Sequence, residues 1–227
     1  MEDSLSDATP FQKKQYERTI AHLKDDKSAN LQLVFIAHNL GVEGYEDQSK
    51  LFPPLEPGKP MSITAALCLQ YPLSRGSVHI KTADVNDHPA LDPAMLKHPA
   101  DTAVIAIGLR LLEKITNSKA MEGKIAKRTY PAEADSDFND TAQAQAHVRD
   151  SIFSEYHPVG SCAIGDAVDA KLRVKGARNL RVADASVFPN HVSGNCLSSV
   201  YAVAEKAADL IKEDWEYAAL KKSGDGQ

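Results

Sequence analysis

Helical and strand patterns follow one another along this sequence without the regular strand–helix–strand alternation of a parallel sheet. The clearest helix is predicted over residues 99–117, where apolar residues recur at helical spacing and Asp101 suits the dipole of the first turn. Apolar runs over residues 31–39 and 61–72 predict two strands. This mixture favours an α+β fold over a doubly wound sheet.

Weaker patterns complete the assignment of secondary structure. Further helices are predicted over residues 11–24, 141–156 and 198–215. Val78 and Ile80 alternate like a short strand, whereas the proline-rich residues 87–93 predict a connection. Residues 40–60 and 118–140 carry no readable motif, and we expect them to be loops that border a site.

A hairpin is predicted near the C-terminus. Short apolar stretches at residues 172–174 and 180–183 predict two strands, and the five residues between them include Gly176. A glycine in so short a connection is typical of a hairpin turn.

Charge and composition exclude several classes of protein. The net charge is −5, from 26 basic and 31 acidic residues, with no basic patch, so nucleic acid is not an expected partner. No run of about 18 apolar residues predicts a membrane span. The first 30 residues have no apolar core of a signal peptide, which would place a complete natural chain in the cytoplasm. The three cysteines do not suggest a disulfide framework.

Two polar residues are candidates for chemistry. His157 precedes Pro158, which restricts its backbone to extended geometry, so the side chain is either a rigidly held general base or a core histidine at a turn. Asn195 lies just before the predicted last helix. It either caps that helix or marks a helix N-terminus that stabilises negative charge on a reduced cofactor or an oxyanion.

The cysteines near these residues give weaker candidates. His157, Cys162, His191 and Cys196 could together hold zinc, but no CxxC or HxxxH spacing supports this, and no metal site is predicted. Cys162 could be a thiol nucleophile beside His157, although a small buried cysteine is the commoner case.

The C-terminal sequence resembles the glucose–methanol–choline (GMC) oxidoreductases. The similarity lies in HPVGSCAIG, then VDAKLRVKGARNLRVADASVFPNHVSGN, then the helix ending in AEKAADLIKED, in this order and spacing. The upstream PLSRGSVHIKTADVNDHPALDP is similar to a strand region of the family's substrate domain. The resemblance covers about residues 60–215.

The resemblance implies a fold and a domain organisation. Residues 1–150 would form a substrate-binding region with an antiparallel sheet and helices. Residues 151–217 would supply the active-site segment with the C-terminal hairpin and helix of an FAD domain, followed by a polar tail over residues 218–227. The GxGxxG fingerprint of the family's N-terminal half is absent from this sequence, so FAD binding by this chain alone is not expected to be strong.

The resemblance also implies the roles of two catalytic residues. His157 would accept the proton of a substrate hydroxyl while a hydride passes from the carbinol carbon to FAD. Asn195 would hydrogen-bond the substrate oxygen.

Four further residues are implied to bind the cofactor. Asp184 and Ala185 match the segment whose backbone approaches the FAD diphosphate. Cys196 and Leu197 match the start of the last helix, under the pyrimidine end of the flavin.

Three functions follow as hypotheses. The first is the C-terminal part of an FAD-dependent alcohol oxidase or dehydrogenase, acting on a small alcohol, with a partner chain that supplies the missing half or as a homo-oligomer. The second is a cofactor-free lyase, isomerase or cyclase that reuses the pocket of His157 and Asn195. The third is a non-catalytic truncated subunit. Substitutions such as Ser161 for the family's usual threonine are mild departures, and flavin chemistry is the default.

Overall fold

The structure is a computed structural model that describes residues 8–55, 57–58 and 60–224, with side chains up to residue 215. Its contacts separate two units. Asp26–Tyr156 form one unit, and the described residues up to Asp25 together with those from His157 onward form the other. The boundary between the two units therefore follows Tyr156, whereas the sequence suggested a domain boundary after residue 150. The domain limits proposed from the sequence remain predictions.

A two-stranded antiparallel sheet forms the centre of the 26–156 unit. Strand β1, Leu31–Ile36, pairs with β2, Thr64–Leu69, so that Leu31 lies opposite Leu69. Both strands are shorter than predicted. The Thr64 hydroxyl donates to the His38 carbonyl at 2.8 Å and accepts from the Leu40 amide at 3.1 Å. At this end of the sheet the Thr64 side chain therefore takes the place of backbone hydrogen bonds between the strands.

A second antiparallel pair corrects one prediction. Strand β3, Ser77–His79, pairs with β4, Ala90–Asp92. The predicted strand at Val78 is confirmed, but the interpretation of residues 87–93 as a connection is wrong at β4. The prolines flank the three paired residues instead of interrupting them, so they do not prevent strand pairing.

Helix α2, Pro99–Thr116, packs on the first sheet. Gly108 allows the close approach, because a Cβ atom there would lie 2.7 Å from the Leu31 side chain. The carboxylate of Asp101, buried in the first turn, accepts the backbone N–H groups of Leu73 and Ser74, each at 2.8 Å. This helix is confirmed within one residue of its predicted end.

Helix α3, Thr141–Ser151, is shorter than predicted. Its N-cap is Asp140, and the chain turns extended at Ile152, so the prediction of helix over residues 152–156 is wrong. Phe153 instead stacks on Tyr45, with ring centroids 5.0 Å apart, a tertiary contact that an extended backbone permits. One buried apolar cluster of this unit comprises Ile105, Ala106, Phe138, Ala144 and Val148.

The other unit joins the two ends of the chain. Helix α1, Pro10–Lys24, begins with a capping box formed by Thr9 and Gln12. Its Gln15 backbone carbonyl accepts the amide of Asn190 at 3.2 Å, and the Gln15 amide donates to the Pro189 carbonyl. These bonds explain why α1 groups with the C-terminal segment.

The predicted hairpin is present in a minimal form. Arg173 and Arg181 form one antiparallel bridge, and the Val182 amide donates to the Leu172 carbonyl at 3.1 Å. Gly176 in the turn has a φ of +79°, where glycine is favoured.

The last helix, α4, spans Leu197–Gly224 and therefore runs into the stretch predicted as a polar tail, of which residues 225–227 lie outside the described residues. The core of this unit comprises Val168, Leu172, Val187, Phe188, Cys196, Ala207 and Leu210. The α+β class is confirmed. Among the described residues, no helix has the length and apolarity needed to cross a bilayer.

Candidate active site

His157 and Asn195 lie side by side. The Nδ2 atom of Asn195 is 2.8 Å from Nε2 of His157. The imidazole is half-buried and Asn195 is exposed, so a small molecule can reach the pair. The structure thus brings together the two residues that the sequence put forward as catalytic.

The loop that carries His157 is held by backbone geometry and hydrogen bonds. Tyr156 adopts a φ of +64°, which is rare for a bulky residue, and Pro158 stiffens the other side. Further along, the Cys162 amide donates to the Ser186 carbonyl and the Ile164 amide to the Val187 carbonyl, each at 2.9 Å. The direction of the His157 side chain is therefore set by a constrained backbone.

Asn195 is placed by the start of α4. Gly194 has a φ of +78°, which turns the chain into the helix. The Val200 amide donates to the Cys196 carbonyl at 2.9 Å, so helical bonding begins at the residue after Asn195. Asn195 therefore lies at the positive end of a long helix.

Cys196 contacts the other side of the imidazole. Its Sγ atom lies 3.5 Å from Nδ1 of His157, and the residue is 5% exposed. The side chain is thus directed to His157, and only the Cys196 backbone is left for the cofactor contact that the sequence suggested. Cys162, the other candidate thiol, is half-buried.

His191 is a second histidine close to the His157 ring. Its ring centroid is 6.3 Å from that of His157, and its Nδ1 bonds to the Val192 carbonyl at 2.6 Å. The sequence pattern put His191 forward only as a possible zinc ligand, although a second histidine four residues before Asn195 was a usable signal. Within the described part of the chain, no group of three or more metal-ligating side chains converges.

The segment proposed to approach the FAD diphosphate lies in a separate turn. The Asp184 carboxylate accepts the Ser186 amide at 2.8 Å and thereby begins a short 3₁₀ turn, Ala185–Val187. That turn is joined to the His157 loop through the bonds to residues 162 and 164. Ala185 is half-buried and Asp184 is exposed.

The residues present fit the ring end of a flavin. Leu197 lies two residues after Asn195, is 64% exposed, and offers an apolar surface to a flat ring. The first N–H groups of α4 carry partial positive charge, which suits the negative charge of a reduced ring. Leu197 and the backbone of Cys196 are therefore the residues that would hold this end of FAD.

Comparison with known proteins identifies the family of the chain. A sequence profile described as GMC oxidoreductase matches residues 72–204. The chain is 39% identical to dehydrogenase mpl7 of Monascus purpureus over 209 residues, which cover 90% of this chain and 33% of that protein. It therefore spans about a third of the length of this relative.

Two solved structures also superpose on most of this chain. A fungal aryl-alcohol oxidase superposes with a TM-score of 0.62 and 32% identity, over 70% of this chain and 26% of that one. Formate oxidase of Aspergillus oryzae, studied for modification of its FAD, superposes with a TM-score of 0.72 and 25% identity, over 90% of this chain and 36% of that one.

Proposed function

Because this chain belongs to the GMC oxidoreductase family, we propose that it supplies the C-terminal part of the active site of an FAD-dependent alcohol oxidase or dehydrogenase. The observation that carries the proposal is the 2.8 Å contact between His157 Nε2 and Asn195 Nδ2 in an accessible position. The name of the aryl-alcohol oxidase whose structure superposes on this chain supports an alcohol as substrate.

His157 acts as the general base in this proposal. An amide nitrogen donates hydrogen bonds, so the Asn195 contact leaves Nε2 of a neutral imidazole as an acceptor. A substrate hydroxyl that enters between the two side chains donates its proton to that lone pair. A positioned base of this kind contributes roughly 10²–10⁴-fold to a rate.

Asn195 stabilises the oxygen that loses the proton. Its Nδ2 has two N–H groups, and one of them is released from Nε2 when the hydroxyl enters. That N–H donates to the substrate oxygen as negative charge develops on it, assisted by the N-terminus of α4. FAD, when bound, supplies the chemistry of accepting the hydride from the carbinol carbon.

The proton balance of the step is complete within the pair. The hydroxyl O–H bond breaks, its proton moves to Nε2, and the oxygen becomes the carbonyl oxygen of an aldehyde or ketone as the hydride leaves. His157 is then an imidazolium, which returns its proton to solvent through the exposed side of the site.

The test is a visible absorbance spectrum of the purified chain with added FAD, followed by an alcohol under anaerobic conditions. We expect the flavin spectrum to change on binding and to bleach with alcohol, and we expect the His157→Gln variant to bind FAD without bleaching. Equal bleaching by this variant would show that His157 is not the base.

If the purified chain leaves the FAD spectrum unchanged, a second experiment follows. The part of dehydrogenase mpl7 that lies outside its match to this chain is then added as a second polypeptide, and the titration is repeated. If flavin binding still fails, the cofactor-free acid–base function replaces the redox function.

A further inference from the structure

The imidazole of His157 lies between an amide and a thiol. Asn195 Nδ2 is 2.8 Å from Nε2, and Cys196 Sγ is 3.5 Å from Nδ1. Both partners come from consecutive residues at the start of α4. Both ring nitrogens therefore contact side chains that come from one short segment of the chain.

The first of these contacts shows which nitrogen carries the proton. A neutral imidazole has one N–H group and one lone pair. Because the amide nitrogen of Asn195 donates, it meets the lone pair at Nε2, and the N–H group is at Nδ1. The atom beside Nδ1 is then required to accept a hydrogen bond.

The Cys196 thiol has the position and surroundings for that role. Sulfur is a weak acceptor, and its contact with Nδ1 is made by a residue only 5% exposed, where water competes little. Cys196 packs in the core cluster with Val187 and Phe188, so the position of Sγ is held by the interior of the unit. The Cys196 thiol is therefore a hydrogen-bond partner of His157 with a fixed position.

We propose that Cys196 is a positioning residue that accepts the Nδ1–H of His157 and thereby keeps the Nε2 lone pair directed at the substrate. This inference rests on the proposed function only in naming His157 as the base. It gives Cys196 a part in the reaction through its side chain, beyond the backbone contact with a cofactor.

The direct test is the tautomer of His157, read by ¹⁵N NMR of protein labelled at histidine, at a pH where the ring is neutral. The His157→Gln spectrum identifies the His157 signals. We expect the Nδ1–H tautomer to dominate in the unaltered chain. A dominant Nε2–H tautomer would overturn the proposal, and this result needs no variant at residue 196.

Substitutions at residue 196 then test the cause. In Cys196→Ala we expect the Nε2–H fraction to rise several-fold, because the acceptor is gone, whereas Cys196→Ser keeps an oxygen that accepts the same proton. Cys162→Ala, which removes a half-buried thiol from the same unit, should leave the tautomer unchanged. An unchanged tautomer in Cys196→Ala would contradict the proposal.

Kinetics of the FAD-loaded enzyme give a second readout. We expect kcat of Cys196→Ala to fall roughly tenfold, about the effect of losing one neutral hydrogen bond, with KM little changed. If His157→Gln is fully active, the proposed base is wrong while the tautomer result can still stand. If His157→Gln is inactive and Cys196→Ala shows neither change, only the role of Cys196 fails.

Discussion

Asn195 donates from its amide nitrogen to Nε2 of His157 across 2.8 Å, although 38 residues separate the two along the chain. His157 follows the extended end of the 26–156 unit, and Asn195 lies two residues before the first residue of α4. Their contact defines a point where a hydroxyl oxygen can meet an acceptor and a donor at once.

Replacing Asn195 by Asp tests the donor. The substitution keeps the size of the side chain but removes both N–H groups and adds a negative charge beside the developing alkoxide. A carboxylate there also favours the protonated imidazole, which has no lone pair to offer. We expect kcat for alcohol oxidation by the FAD-loaded protein to fall at least roughly a hundredfold.

Asn179→Asp is the matched control for that experiment. Asn179 lies exposed in the turn of the hairpin with a φ of +57°, a conformation that Asp also tolerates. It introduces the same charge into the same unit. An Asn195→Asp variant as active as Asn179→Asp would contradict the role of the amide.

Gly194 and Gly176 provide a matched pair of backbone positions. Their φ angles are +78° and +79°, and an added Cβ would find open space at both. Alanine at either position should therefore lower the free energy of unfolding by a similar amount, about 1–2 kcal/mol, through strain in the left-handed conformation. Urea denaturation of the two variants measures this.

The two glycine variants should differ in catalytic activity. Gly194 directly precedes Asn195, so a backbone shift there displaces the amide, and small displacements at a reacting centre are costly. We expect kcat to fall at least roughly tenfold in Gly194→Ala and to stay near normal in Gly176→Ala. Equal activities would show that the Gly194 turn does not control the position of Asn195.

The thiol of Cys68, on β2 in the 26–156 unit, should react slowly with alkylating reagents. Burial, reinforced by the charge and hydrogen bond of Glu155, raises the pKa of the Cys68 thiol to about 12 from an ordinary value of 9.0. Only the thiolate reacts with iodoacetamide. At pH 8 we expect its alkylation to be roughly a thousandfold slower in the folded protein than in urea, as measured by mass spectrometry.

The Glu155 carboxylate can be tested separately. Glu155→Gln removes the charge that favours the protonated thiol, so alkylation of Cys68 in the folded protein should become faster. Glu122→Gln, at an exposed carboxylate of the same unit, controls for the change in net charge. Identical rates in these two variants would leave burial as the only cause of the raised pKa.

The raised pKa also has a consequence for stability. Between pH 9 and about 12 the unfolded chain loses the Cys68 proton while the folded chain keeps it. The folded state then binds more protons, so the free energy of unfolding falls as the pH rises through this range. A Cys68→Ala variant should show a weaker decline in urea denaturation over the same interval.

Local patterns predicted much of the secondary structure and missed what depends on distant partners. Helix α2 was predictable because its apolar spacing and its acidic first turn act within one segment. The end of α3 was not, since Phe153 leaves the helix to stack on Tyr45, about a hundred residues earlier in the chain. Strand β4 was missed because three residues between prolines pair only when β3 is already beside them.

The sequence by itself determined the family, the helical periodicities and the stiff backbone at His157, because ordered motifs and an X-Pro bond are properties of the chain alone. Only the tertiary structure decided that the imidazole meets Asn195 on one nitrogen and Cys196 on the other. It also decided that α1 lies with the C-terminal segment. These relationships depend on how buried surfaces and hydrogen bonds bring distant residues together, and no spacing along the chain encodes those distances.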